Sequence, residues 1–74
     1  MDSVVYAMVR QVAAMWSTLM YAQGHSADQA TEVGMMQAAL FLSDLGIVQD
    51  AQPYLDGARD AMNTARHLRT GQSN

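Results

Sequence analysis

The chain has no cysteine and no lysine, and its 74 residues include only one tryptophan, one phenylalanine and one proline. Without cysteine no disulfide can staple the fold, and two distant histidines, His25 and His67, do not make a metal staple. Without lysine, positive charge rests on four arginines against seven carboxylates, for a net charge of −3. Domains that hold a phosphate backbone usually carry a basic patch. Here only Arg66, His67 and Arg69 cluster, in the last turns of a predicted helix where cations complement the macrodipole. Nucleic-acid binding is not expected. Long apolar runs are missing too: Val4 to Val9 is interrupted by Arg10-Gln11, and Val12 to Trp16 by Ser17-Thr18. Neither approaches the roughly 20 apolar residues of a membrane span, so no membrane insertion is expected. Met1-Asp2-Ser3 lacks the cationic start of a secretory signal, which makes a cytoplasmic location the expectation.

Groups for chemistry are equally sparse. Neither histidine has a second histidine or a cysteine at ligand spacing. Asp44, Asp50, Asp56 and Asp60 do not follow the alternating oxygen-ligand pattern of a calcium loop. No Ser/His/Asp arrangement and no glycine-rich phosphate loop occurs. The sequence reads as a non-enzyme without metal or cofactor.

What is present is methionine, seven residues of it, on stretches with helical periodicity. Methionine is unbranched and polarizable, so it fills irregular gaps and suits surfaces that adapt to a partner. Half of the residues are apolar and 15% are charged, against about 25% charged in typical soluble domains. Residues 1–74 fit a single domain near the size at which one core offsets chain entropy. An apolar face left for a partner is the consistent reading.

Three helices are predicted, over about residues 4–22, 27–45 and 51–69, in an all-α three-helix bundle. Ser3 is the expected first cap, with Asp2 beside the positive end of the dipole. Val5, Val9, Val12, Trp16 and Leu19 define one stripe, broadened by Met8, Met15, Met20 and Tyr21, with Arg10, Gln11, Ser17 and Thr18 as a polar edge. Gly24 suits the left-handed position that ends a helix. Ser26-Ala27-Asp28-Gln29 has the form of a capping box. In the second helix, Ala30, Val33, Met35, Ala38, Leu42 and Leu45 share a period, Gly34 predicts close approach of a neighbouring backbone, and Gly46 is the stop. Asp50 as cap would place Pro53 in the first turn of the third helix. Tyr54, Leu55, Ala58, Ala61, Met62, Ala65 and Leu68 then form its apolar face, and Gly71 closes it before a frayed tail at 71–74.

From Met35 to Ala58 the small and bulky positions resemble one tetratricopeptide repeat, a helix–turn–helix unit of about 34 residues. Ala38 and Ala39 fall where that family places leucine and then a small residue, Leu42 on the next bulky site, and Gly46 on the glycine of the turn. Ala51, Leu55 and Ala58 match the small, large and small sites of the second helix. Met35, Val48 and Asn63 depart from the usual tryptophan, tyrosine and proline, and Pro53 intrudes. Gly24-His25 through Asp28-Gln29-Ala30, then Leu45-Gly46 and Asp50-Ala51, is similar to the opening helices of needle-subunit chaperones of bacterial type III secretion. The resemblance implies a tetratricopeptide-like hairpin plus one flanking helix. It also implies a small chaperone that cradles a partner's amphipathic helix.

The residues assigned to such a contact surface are Trp16, Met20, Tyr21, Met36 and Leu40, because amphipathic aromatics and adjacent Met35-Met36 suit an interface. The partner is another protein, or a second copy in a homo-oligomeric bundle. A small phage-type inhibitor of a host protein is a third reading.

Overall fold

The first helix starts at an acid rather than a hydroxyl. In a computed structural model, Asp2 is the N-cap of α1 (Ser3–Ala22), its carboxylate accepting from the amides of Val4 at 2.9 Å and Val5 at 3.2 Å. Ser3, the expected cap, is the first helical residue instead. One carboxylate oxygen, Oδ1, accepts from both orphan amides, and the carboxylate brings to the positive end of the dipole a negative charge that a hydroxyl lacks. The structure describes the backbone of residues 1–72 and side chains up to residue 68. Among these residues it holds α1, α2 (Ala27–Asp44) and α3 (Gln52–Gln72), and no strand.

Both turns are written by glycine. Gly24 and Gly46 adopt φ of +98° and +77°, and no other described residue has a positive φ. After α1, the His25 amide donates to the Met20 carbonyl and the Gly24 amide to that of Tyr21. After α2, Ile47 donates to Leu42 and Gly46 to Ser43. Each is the paired 6→1 and 5→2 bond set of a Schellman end. The capping box of α2 is formed both ways: the Gln29 amide donates to Ser26 Oγ, and the Ser26 amide donates to Gln29 Oε1. Helix α3 departs from expectation at both ends. The Ala51 carbonyl accepts the first helical bond, from Leu55 at 3.0 Å, so Asp50 is not the cap. Pro53 is the second helical residue, where an amide proton would have no helical acceptor. Gly71 does not close α3, which runs on to Gln72, since a glycine without positive φ merely weakens a helix. The rest of the tail expected to fray, Ser73 and Asn74, lies outside the described residues.

The helices run up, down and up. Arg66 of α3 meets Asp28 of α2 at 3.2 Å, while Asp2 meets Tyr54 and Arg10 meets Gly57, so α3 is antiparallel to α2 and parallel to α1. The body measures 40 × 20 × 15 Å. Its centre is built from small residues. Val9, Ala13 and Ser17 of α1 form one four-residue row, and Ala30, Gly34, Ala38 and Leu42 of α2 another, all of them buried. Rows of that spacing interdigitate when helices pack ridge into groove. Gly34 is the point of closest approach: a Cβ there would lie 2.6 Å from the Ala13 carbonyl oxygen and 2.5 Å from Met62 Sδ. Helix α3 closes the far side of this pair with Tyr54, Gly57, Ala58 and Met62.

The core therefore sits one position away from the stripe read in the sequence. Ser17, assigned to the polar edge, is 4% exposed, whereas Trp16 and Leu19 of the supposed inner stripe face outward. The cause is steric: only small side chains let α1 and α2 approach at Gly34, so the bulky ones are displaced to the flank. The same choice puts Ala38 inside and leaves Ala39, the small site of the repeat-like pattern, exposed. Leu68 is also exposed, at 62%. Arg66 already opposes the second residue of α2, so Leu68 projects past the start of its neighbour.

Tyr6, Arg10 and Tyr54 fasten α1 to α3 at one end. The Tyr6 and Tyr54 rings lie 6.4 Å apart, and the Arg10 guanidinium sits 5.7 Å from the Tyr6 centroid. Arg10 donates to the Gly57 carbonyl at 3.1 Å, and the Asp2 amide donates to the buried Tyr54 hydroxyl at 2.9 Å. Gly57 makes room for the Tyr6 ring, as Gly34 does for the Ala13 carbonyl. The two glycines differ in what a methyl would strike. Gly34→Ala gains about 1 kcal/mol of helix propensity, yet overpacking against a fixed carbonyl costs about 1–3 kcal/mol. Urea unfolding should show Gly34→Ala as the less stable of the two variants. Gly57→Ala should lie closer to the parent, because the Tyr6 side chain can swing aside.

Candidate functional site

Four of the eight buried apolar residues are alanine, and the large side chains stand largely outside. Trp16 is 36% exposed, Met36 56%, Leu40 53% and Met15 61%, with Met8 and Leu19 also open to solvent. Helical geometry puts these residues together. On α1 the buried row Val9–Ala13–Ser17 faces α2 and α3, and Met8, Val12, Met15, Trp16 and Leu19 lie on the flank that α3 does not reach. On α2, Met36 and Leu40 lie one turn apart on the same outer side. The two flanks meet in a groove of about 380 Å³ lined by Val12, Trp16, Gln37, Leu40, Phe41 and Asp44. Helix α3 covers the opposite side of the hairpin, so this face is the broad apolar surface that remains uncovered.

Of the five residues singled out in the sequence, Trp16 and Leu40 line the groove, and Met36 is exposed one turn from Leu40, outside the groove lining. Met20 is only half-buried at its edge. Tyr21 is exposed but turned about 140° around α1 from Trp16, five residues away, so it does not share the surface. Tyr54 is core. Reading the sequence by apolar bulk missed Val12, Gln37, Phe41 and Asp44 as groove residues. The available signal was the pair of small-residue rows at spacing four, which fixes the inner faces and so, by elimination, the outer one.

The electrostatics of the face are one-sided. Helix α2 carries Asp28, Glu32 and Asp44 and no basic residue. The one charge on α1, Arg10, is turned toward α3, 3.6 Å from Asp60 and bonded to the Gly57 carbonyl. A second depression of about 530 Å³ runs along Ala7, Arg10, Gln11, Ala14, Met15 and Thr18, but it is formed by α1 alone. Among the described residues no group of three or more His, Cys, Asp or Glu is placed to hold a metal, and no helix is long and apolar enough to cross a membrane. His25 and His67, the two histidines, are both exposed.

No protein-family model, no curated protein and no solved structure matches this chain.

Exposure of the face makes a direct chemical prediction. Methionine oxidation follows access of the thioether. Limited peroxide treatment and peptide mass analysis should find Met8, Met15 and Met36 converted well before Met62, which is 2% exposed. Equal rates across the set would mean that the face is covered in solution.

Proposed function

We propose that this chain is a non-enzymatic, cofactor-free binding module that shields the apolar side of an amphipathic helix of another protein. One observation carries the reading: small residues fill the interior while Trp16, Met36 and Leu40, flanked by Met8, Met15 and Leu19, form an open face along α1 and α2. A face two helices wide and about 17 Å long suits one docked helix, whose anchors at i, i+3, i+4 and i+7 would enter between the rods. Methionine makes that surface tolerant of anchor shape. The similarity of the turn and cap residues to needle-subunit chaperones of type III secretion supports a chaperone-like role in the cytoplasm, holding a partner before it assembles elsewhere.

Trp16 is the single tryptophan, so its emission reports occupancy of the groove. Titration with a helical peptide bearing leucine at i, i+3, i+4 and i+7 should shift that emission to shorter wavelength and raise the melting temperature. Burial of a Leu or Met side chain is worth about 1.5–3 kcal/mol. Met36→Gln with Leu40→Gln should therefore weaken binding by at least about tenfold, while exposed sites of this kind change stability by about 0.5 kcal/mol or less. A peptide that leaves Trp16 emission unmoved, or is weakened equally by Leu68→Gln, would remove the reading.

A further inference from the structure

Charge along the rim of the face specifies its occupant further. Glu32, Met36, Leu40 and Asp44 follow one another at intervals of four on α2, so they form an inclined row that turns about 40° around the axis at each step, from the outer side of the helix at Glu32 to the groove at Asp44. Acid stands at both ends of that row, and the two exposed apolar side chains stand between them. Twelve residues of helix separate the acids by about 18 Å. Both carboxylates are exposed, and neither joins an ion pair among the described residues, where Asp28 is held by Arg66 and Asp60 by Arg10. Asp44 lines the groove itself, beside Trp16 and Leu40. It is also the last residue of α2, where a carboxylate opposes the negative end of the macrodipole and no basic residue offsets it. Local stability disfavours an acid at that position.

We propose that the occupant is a basic amphipathic helix: its apolar anchors lie over Met36 and Leu40, and cationic side chains about three turns apart meet Glu32 and Asp44. This rests on reading the face as a docking surface, and adds the chemistry of what docks. A second copy of the chain fits less well. Its own corresponding face carries acids and no cation, since Arg59, Arg66 and Arg69 are all on α3, and Arg10 is turned toward α3. Two such faces brought together would set acid rims against each other without compensation. On the α1 side the partner meets Met8, Met15, Trp16 and Leu19 with no charge among them, so its cations belong on the flank over α2.

Three helical peptides test this, identical in their leucine stripe and carrying lysine, glutamine or glutamate at two flanking positions twelve residues apart. Trp16 emission measures each affinity. At roughly 0.05 M salt the lysine peptide should bind about fivefold more tightly than the glutamine peptide, and the glutamate peptide should bind weakest. At roughly 0.5 M salt the three should converge, because exposed charges are screened. Glu32→Gln with Asp44→Asn should erase the ranking, so that the three peptides bind the variant alike. Asp44→Asn should unfold at the same or a higher temperature, since it removes a carboxylate from the negative end of α2. Equal affinity of all three peptides would overturn the charge inference and leave the docking face standing. Binding of none would overturn the docking face itself. A protein that sediments as a dimer and excludes all three peptides would assign the face to a second copy and overturn both.

Discussion

Gly34 determines how far apart α1 and α2 can stand, and most of the remaining structure follows from that distance. With no side chain at this point, the Ala13 carbonyl and the Met62 sulfur occupy the space that a Cβ would need. The close approach recruits Ala13 and Ser17 from one helix and Ala30 and Ala38 from the other, because nothing larger fits between them. Each of these residues buries little apolar area, so the seam gains its stability from dense van der Waals contact rather than from bulk. Met62, flexible and polarizable, is the side chain that fills the gap α3 would otherwise leave against the glycine.

A seam made of small residues has a direct effect on the surface. Chains of this composition must put their large apolar side chains somewhere, and with the centre taken by alanine and glycine they are left on the flanks. Among the described residues, Leu42 and Val9 are the largest side chains that are essentially fully enclosed. Trp16, Met36 and Leu40 gather instead where the two helices meet the outside, opposite α3. The open face is thus a geometric result of tight interior packing among the three described helices.

Features set by backbone chemistry were legible in the sequence: the Ser26–Gln29 box, the glycine reversals at Gly24 and Gly46, Pro53 in the first turn of α3, and the close approach at Gly34. Each depends on a local requirement that one or two residue types meet. The facing of α1 was not legible from apolar bulk, because valine, methionine, leucine and tryptophan occur nearly all around it. Only the matched rows Val9–Ala13–Ser17 and Ala30–Gly34–Ala38 identify the inner side, and they do so through size rather than hydrophobicity. Trp16 and Ser17 accordingly exchanged their expected places. Leu68 illustrates a different limit: its period is right, but periodicity carries no information on where the neighbouring helix ends.

The hydrogen bond from the Asp2 amide to the Tyr54 hydroxyl joins the opening of α1 to the opening of α3 across most of the chain. In synthesis α1 and α2 precede Tyr54, which lies ten residues past the end of α2. The nascent hairpin must then wait with its α3 side bare as well as its outer face, two greasy sheets of surface on one slender pair of rods. Docking of α3 decides which of them stays available.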